Sequence, residues 1–258
     1  MGSKLERATA EDMNNLTVIY YTSNYLDEHN PYFLNNTKEA LLKAAGDLPI
    51  IIVSQKPTMF GKNSKNICLG DIGRSHLNIY RQMLIGAKEA ETDYIALAED
   101  DIFYSYEHFH NNYIGKWPDV MLYDMNKLSL FTWTKPPVYS FRHDRMVVNQ
   151  LIAPRLRFID ALEERFERVR EMMEDGKKEE QIIKYWGDLG RYEDILGVTV
   201  QKTKTFMCTC PSIVFSHENA FGYLNHGSRK RLGDLRILEV PYWGRAEDML
   251  KKYYEPEI

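Results

Sequence analysis

The sequence predicts an α/β protein: a mostly parallel sheet with helices on both faces, formed as one domain over residues 1–258. Three observations carry that prediction. Strand-like and helix-like segments alternate through the first hundred residues. The strands are apolar at nearly every position rather than every second one, as strands buried on both faces are. With 258 residues, 44% of them hydrophobic, the chain can bury a full core.

Taken in order, Leu16 to Thr22 is rich in β-branched and aromatic side chains and reads as the first strand. Pro31 to Ala45 has helical spacing. Leu48 to Ser54 is a second strand and Ile67 to Leu69 a short third. Ser75 to Ala90 places Leu77, Tyr80, Leu84 and Ala87 on one helical face, and Tyr94 to Ala98 is the next buried strand. Ligands of such sheets bind beyond the carboxyl ends of the strands, so Thr22-Ser23-Asn24, Ser54-Gln55 and Glu99-Asp100-Asp101 are expected on one rim.

The acidic triplet Glu99-Asp100-Asp101 is the strongest functional signal. Adjacent carboxylates repel one another, and a divalent cation relieves that repulsion. The competing role is a helix cap before Ile102, but a cap uses one acid, not three. The metal reading is therefore preferred.

The second half is less regular. Val120 to Trp133 and Arg145 to Ala153 have strand character, and Leu156 to Met173 is an amphipathic helix with Phe158, Leu162, Phe166, Val169 and Met173 on its core face. Lys177 to Glu180 reads as a solvated turn. The loop Gly187-Asp188-Leu189-Gly190 leads to the acidic pair Glu193-Asp194 and an apolar turn, which sets Asp194 at a helix N-terminus. There it is expected to be ionised and able to accept a proton, with capping the equally open alternative. Cys210 to Ser216 is a strand that delivers His217, for which a structural role is the default.

Three cysteines without paired spacing predict a reducing, cytoplasmic setting, and the N-terminus shows no apolar signal segment. No apolar stretch approaches the roughly 20 residues that cross a bilayer, so no membrane association is expected. A net charge of -4 argues against a uniformly basic nucleic-acid coat. Two local clusters remain: Arg142, Arg145, Arg155 and Arg157 against Asp144, and Arg229, Lys230, Arg231 and Arg236 against Asp234.

A strand ending in an acidic motif, a glycine-containing loop, an acidic pair opening a helix and a late histidine follow one another from Leu16 to His217. That succession resembles the GT-A (Rossmann-like) nucleotide-sugar glycosyltransferases, and Tyr80 to Ala87 resembles the family's helix that feeds the acidic strand. The motif here is Glu-Asp-Asp rather than Asp-x-Asp, so Glu99 or Asp100 meets the metal or only the donor ribose. The resemblance implies a flexible N-terminus at 1–15, a nucleotide-sugar half at 16–110 and an acceptor half at 111–258. It implies Mn²⁺ or Mg²⁺ held by Asp101 and His217, with Asp194, beside Glu193, as the base of an inverting transfer. It places Thr22, Ser23, Asn24 and Gln55 near the nucleotide, and Arg74, Arg81, Arg229 and Lys230 near the diphosphate of a UDP-sugar.

Tyr20-Tyr21-Thr22, Arg81-Gln82 and Glu99 to Tyr104, with His108 and Phe109, further resemble the TET-associated DNA glycosyltransferases of bacteriophages. That resemblance implies glucose transfer to 5-hydroxymethylcytosine in DNA, in the host cytoplasm, and the 17 tyrosines and 4 tryptophans offer stacking surfaces for an extruded base. Glycan, lipid or protein acceptors are the alternatives. A sugar-phosphate nucleotidyltransferase is disfavoured because no glycine follows the first strand. A zinc-stabilised module using Cys68, Cys208, Cys210 and His217 would need a ligand drawn from far upstream.

Overall fold

The computed structural model describes residues 15–141, 145–183, 186, 188–218, 220 and 235–255. Its strands are β1 (Leu16–Thr22), β2 (Ile50–Ser54), β3 (Ser64–Cys68), β4 (Tyr94–Ala98), β5 (Ile102–Phe103), β6 (Met121–Asp124), β7 (Lys127–Phe131), β8 (Tyr139–Phe141), β9 (Leu151–Pro154), β10 (Thr203–Phe206), β11 (Ser212–Ser216) and β12 (Arg236–Ile237), followed by a short hairpin. The helices are α1 (Tyr25–His29), α2 (Pro31–Ala45), α3 (His76–Glu89), α4 (Tyr106–Phe109), α5 (Arg155–Glu174), α6 (Glu179–Ile182), α7 (Glu193–Leu196) and α8 (Ala246–Tyr253). Among the described residues, no helix is long and apolar enough to cross a membrane.

Seven strands form one sheet in the order β10-β6-β9-β4-β1-β2-β3. All run parallel except β9, which pairs antiparallel with β4 and β6. The expected mostly parallel sheet is therefore present. Its faces divide β1 by alternation: Ile19 and Tyr21 enter the core beneath α3 and α5, whereas Leu16, Val18 and Tyr20 enter the core beneath α2. Helices thus cover both faces.

Local sequence explains the two crossover helices. Pro31 opens α2, where a missing N–H costs nothing, and the Asn30 side chain accepts the Phe33 N–H at 3.0 Å. Ser75 caps α3 by accepting the Asn78 N–H at 3.1 Å. Gly86 lets α3 lie close on the sheet, since a Cβ there would meet Ile19 Cγ2 at 2.5 Å.

A second sheet, β12-β8-β7-β11-β5, packs in a separate core with Phe33 and α8. Its presence explains where the sequence reading differs from the structure. Val120 to Trp133 is not one strand. The Asp124 carboxylate accepts the Asn126 N–H at 2.9 Å, and this turn sends the chain from β6 in the large sheet to β7 in the small one. Arg145 to Ala153 is a loop and a single 3₁₀ turn before β9 rather than a continuous strand. The third strand is Ser64–Cys68, slightly upstream of the expected span, and residues 179–180 open α6 instead of finishing a turn. Ile102 begins a strand, so the acidic triplet caps no helix there.

Candidate functional site

At the carboxyl ends of β1, β2 and β4 the two sheets enclose a cleft of about 630 Å³. The large sheet supplies the acidic triplet, and β7 and β11 of the small sheet supply the facing wall. This is the size and position expected of a ligand site in an open α/β sheet.

The three acids of the triplet fan out to different partners. Glu99 accepts hydrogen bonds from the Tyr21 hydroxyl at 2.6 Å and the Asn149 amide at 2.7 Å. Burial pushes its carboxyl up, against those two hydrogen bonds, and the nearby charges of Asp100 and Asp188 push the same way. Asp100 accepts from the Thr22 hydroxyl at 2.6 Å, and burial raises its carboxyl as well. Asp101 faces His217, whose Nε2 lies 3.9 Å from Asp101 Oδ2.

A backbone ladder makes that meeting. β11 runs antiparallel to β5, and the Phe215 N–H donates to the Asp101 carbonyl at 2.9 Å, which brings His217 beside the triplet. His217 is 1% exposed, neither ring nitrogen has a hydrogen-bond partner among the described residues, and burial lowers its pKa to about 4. It is therefore neutral at pH 7, the form that binds metals. Two donors on one hard divalent ion, with bonds of about 2.1 Å, stand about 3–4 Å apart. Asp101 and His217 meet that requirement, and an orphaned buried imidazole gains a partner if they share an ion.

On the side of β1 and β2, Thr22, Ser23, Gln55 and Arg74 line the cleft. Asn24 does not. It adopts a left-handed conformation at φ 60°, its side-chain oxygen accepts the Gln55 and Lys56 N–H groups, and its amide donates to Asp27 and Thr58. Asn24 therefore ties the end of β1 to the end of β2 and has no capacity left for a nucleotide. Arg74 lies over the Tyr25 ring at 3.9 Å while His29 stacks on that ring at 3.6 Å, so both faces of Tyr25 are covered. Arg81 is exposed, bonds Asn78 within its own helix and faces a shallow hollow beside α5, away from the cleft. Arg229, Lys230 and Arg231 lie outside the described residues, as do residues 1–14, Arg142 and His143.

The acidic pair at α7 is also corrected by the geometry. Glu193 is buried in an ion pair with Arg165 at 2.6 Å, and Asp194 is exposed and does not line the cleft. The carboxylate that this loop turns inward is Asp188. Its Oδ1 accepts the Val148 N–H at 2.9 Å and its Oδ2 lies 3.2 Å from the Arg191 guanidinium. Burial raises its carboxyl, opposed by that N–H and by the charges of Arg191 and Arg145.

Asp188, Asn149, Arg145 and Lys127 also line the cleft, and the sequence reading gave none of them a role in the site. Asp188 stood inside the recognised glycine loop, but helix-start signals drew attention to the later pair. Lys127 offered a signal of its own as a single charge opening an apolar strand, and it is buried against the cleft. Asn149 had none.

The first basic cluster is dispersed. Arg145 lines the cleft, whereas Arg155 donates to the Thr92 carbonyl and Arg157 to Gln201 at the opposite rim. The cysteines do not converge on His217 either. Cys68 is exposed on β3 at one edge of the large sheet, and Cys208 follows β10 at the other.

No protein-family model and no curated protein matches the sequence. Among solved structures, the chain is similar to residues 1–349 of S. aureus TarS in complex with UDP-GlcNAc, at 11% identity and a TM-score of 0.44, covering 79% of this chain and 59% of that one. It is similar to the bifunctional IspDF of Campylobacter jejuni at 11% identity and a TM-score of 0.42, covering 80% and 51%. It is also similar to the galactosyltransferase LgtC in complex with donor and acceptor sugar analogues, at 10% identity and a TM-score of 0.35, covering 90% and 83%. The chain thus spans about three fifths of the TarS fragment and about half of IspDF.

Proposed function

We propose that this chain is a metal-dependent, inverting glycosyltransferase that moves a sugar from a nucleoside diphosphate to an acceptor hydroxyl. The observation that carries the reading is the Asp101–His217 pair, a carboxylate and a neutral imidazole without a hydrogen-bond partner among the described residues, 3.9 Å apart at the rim of a mostly parallel sheet. Mn²⁺ or Mg²⁺ suits that pair, with remaining positions for diphosphate oxygens. When bound, such an ion neutralises charge developing on the leaving diphosphate.

The chain's own residues supply the other requirements. Arg74, Arg145 and Lys127 bring positive charge to the same cleft and would hold the diphosphate. The Thr22 hydroxyl spends its proton on Asp100 and accepts the Asn24 N–H, so Ser23 and Gln55 are assigned the hydrogen bonds to the nucleotide. Glu99, fixed by Tyr21 and Asn149, is assigned to the donor ribose or sugar.

Asp188 is the assigned base. It takes the proton of the acceptor hydroxyl as that oxygen bonds to the anomeric carbon and the carbon–phosphate-oxygen bond breaks, releasing the nucleoside diphosphate with inversion. The raised carboxyl pKa suits a base that must be ionised yet retain affinity for the proton.

For the donor and acceptor, the resemblance of the Tyr20 to Thr22 and Glu99 to Tyr104 stretches favours UDP-glucose and 5-hydroxymethylcytosine in DNA. The test is an incubation with UDP-glucose, Mn²⁺ and DNA containing that base, read by UDP release and by mass spectrometry of the digested nucleosides. A metal-dependent hexose on the modified cytosine is expected. UDP release without a nucleoside change would remove the DNA acceptor and keep the glycosyltransferase. No release and no binding of any nucleotide sugar would overturn the whole reading.

A further inference from the structure

A second set of metal-type donors lies apart from the cleft lining. His108 on α4, Asp124 at the end of β6 and Cys208 just past β10 each bring a donor atom within 4.8 Å of the others. Their exposures are 0%, 0% and 3%. His108 Nδ1 is 3.1 Å from Asp124 Oδ2, while Asp124 Oδ1 accepts the N–H groups of Asn126 and Cys208. The other ring nitrogen of His108 is buried without a hydrogen-bond partner among the described residues.

The surrounding loop is held in place. Glu107, next to His108, accepts the Thr209 N–H at 2.6 Å, and the Asn126 amide donates to the Cys208 carbonyl at 2.7 Å.

We propose that His108, Asp124 and Cys208 bind a structural zinc ion. Imidazole, carboxylate and thiolate are zinc's usual protein ligands, and tetrahedral bonds of about 2.0–2.3 Å set neighbouring donors about 3.3–3.6 Å apart. The observed cluster closes to that spacing with small side-chain movements. On binding, the thiol of Cys208 releases its proton to solvent and His108 keeps its proton on the nitrogen that does not ligate. The thiolate and carboxylate then balance the ion's double charge in a buried place.

The location gives the ion a purpose. The chain passes from the large sheet to the small one at β6–β7 and again at β10–β11, and the cluster sits where both passages occur. β7 and β11, parallel neighbours, carry Lys127 and His217 into the cleft. Zinc here would fasten the wall of the cleft to the sheet without touching the reacting groups.

The test measures metal in the purified full chain and then replaces it with Co²⁺. About one zinc per chain is expected, with a thiolate-to-cobalt charge-transfer band after exchange and a lower melting temperature after chelation. Cys208→Ser should abolish the band, and Cys68→Ser should leave it intact. Wild-type protein that holds no stoichiometric zinc and gives no band on Co²⁺ titration would overturn the proposal, as would a band that survives in folded Cys208→Ser protein. The wild-type measurements decide the matter even if that variant fails to fold.

Discussion

Replacing Asp188 with Asn separates the two roles a buried carboxylate can have. The change is isosteric, and the new side-chain oxygen can still accept the Val148 N–H that now lies at 2.9 Å. What is lost is the proton-accepting charge and the pairing with Arg191, a partly exposed contact worth about 0–1 kcal/mol. If Asp188 is the base, turnover should fall by about 10²–10⁴-fold, or about 2.7–5.4 kcal/mol in the barrier at 1.36 kcal/mol per decade.

Folding stability should move the other way. Because burial raises the folded-state pKa of Asp188, its favourable contribution is complete below the ordinary aspartate pKa and is lost as pH rises through the raised value. Above that value the Asn variant, which has no charge to bury, should melt no lower than wild type. The assay is nucleoside diphosphate release over a pH series beside thermal melts. Wild type should lose kcat/KM as pH falls through the raised pKa, and the variant should lack that acid limb. A variant within about tenfold of wild type, or one that keeps the limb, would refute Asp188 as the base.

Three further outcomes are expected. Glu193→Ala removes the carboxylate paired with the buried Arg165 guanidinium, costing about 3–5 kcal/mol and lowering the melting temperature by about 10 °C, whereas Asp194→Ala on the exposed side of the same helix should stay within about ±0.5 kcal/mol. His217, with a folded pKa of about 4 against an ordinary 6.5, makes a contribution that is present above pH 6.5 and withdrawn as pH falls to about 4. This amounts to about 3 kcal/mol, and a stability–pH profile of His217→Phe should be flatter over that window. Gly86→Ala gains about 1 kcal/mol of helix propensity but drives a methyl to 2.5 Å from Ile19 Cγ2 and 3.2 Å from Val53 Cγ2, so chemical denaturation should show a net loss of about 1 kcal/mol.

The centre of the large sheet, β1, β2 and β4, was legible because these strands are continuous apolar runs joined by helices with ordinary caps, whereas the edge strand β10, Thr-Lys-Thr-Phe, is polar and carried no such signal. Thr22, Glu99 to Asp101 and His217 were legible for a related reason, since each follows directly from a recognised strand. The small sheet was not legible. Its strands are short and are built from passages more than a hundred residues apart, as when β11 meets β5. The Asx turn at Asp124 looks in sequence like one polar step inside a long strand. Asn24 and Glu193 were misread because polar residues at strand ends and helix starts also serve to satisfy buried backbone groups and charges, and only the partners reveal which use prevails. Asp188 was missed because a carboxylate's direction depends on the Val148 N–H, supplied by a distant loop.

The Asp101–His217 pair spans nearly half the chain, and its two members are aligned by a single strand pairing between β5 and β11. Nothing made earlier than residue 217 can complete the site. Residues 16–101, although they contain four of the seven strands of the large sheet and the acidic triplet, hold only one of the two assigned metal ligands. Divalent-metal affinity should therefore appear late, as a readout of finished tertiary structure. Under the proposed glycosyltransferase reading, a nascent or truncated chain would be unable to act on sugar nucleotides before its second sheet had docked.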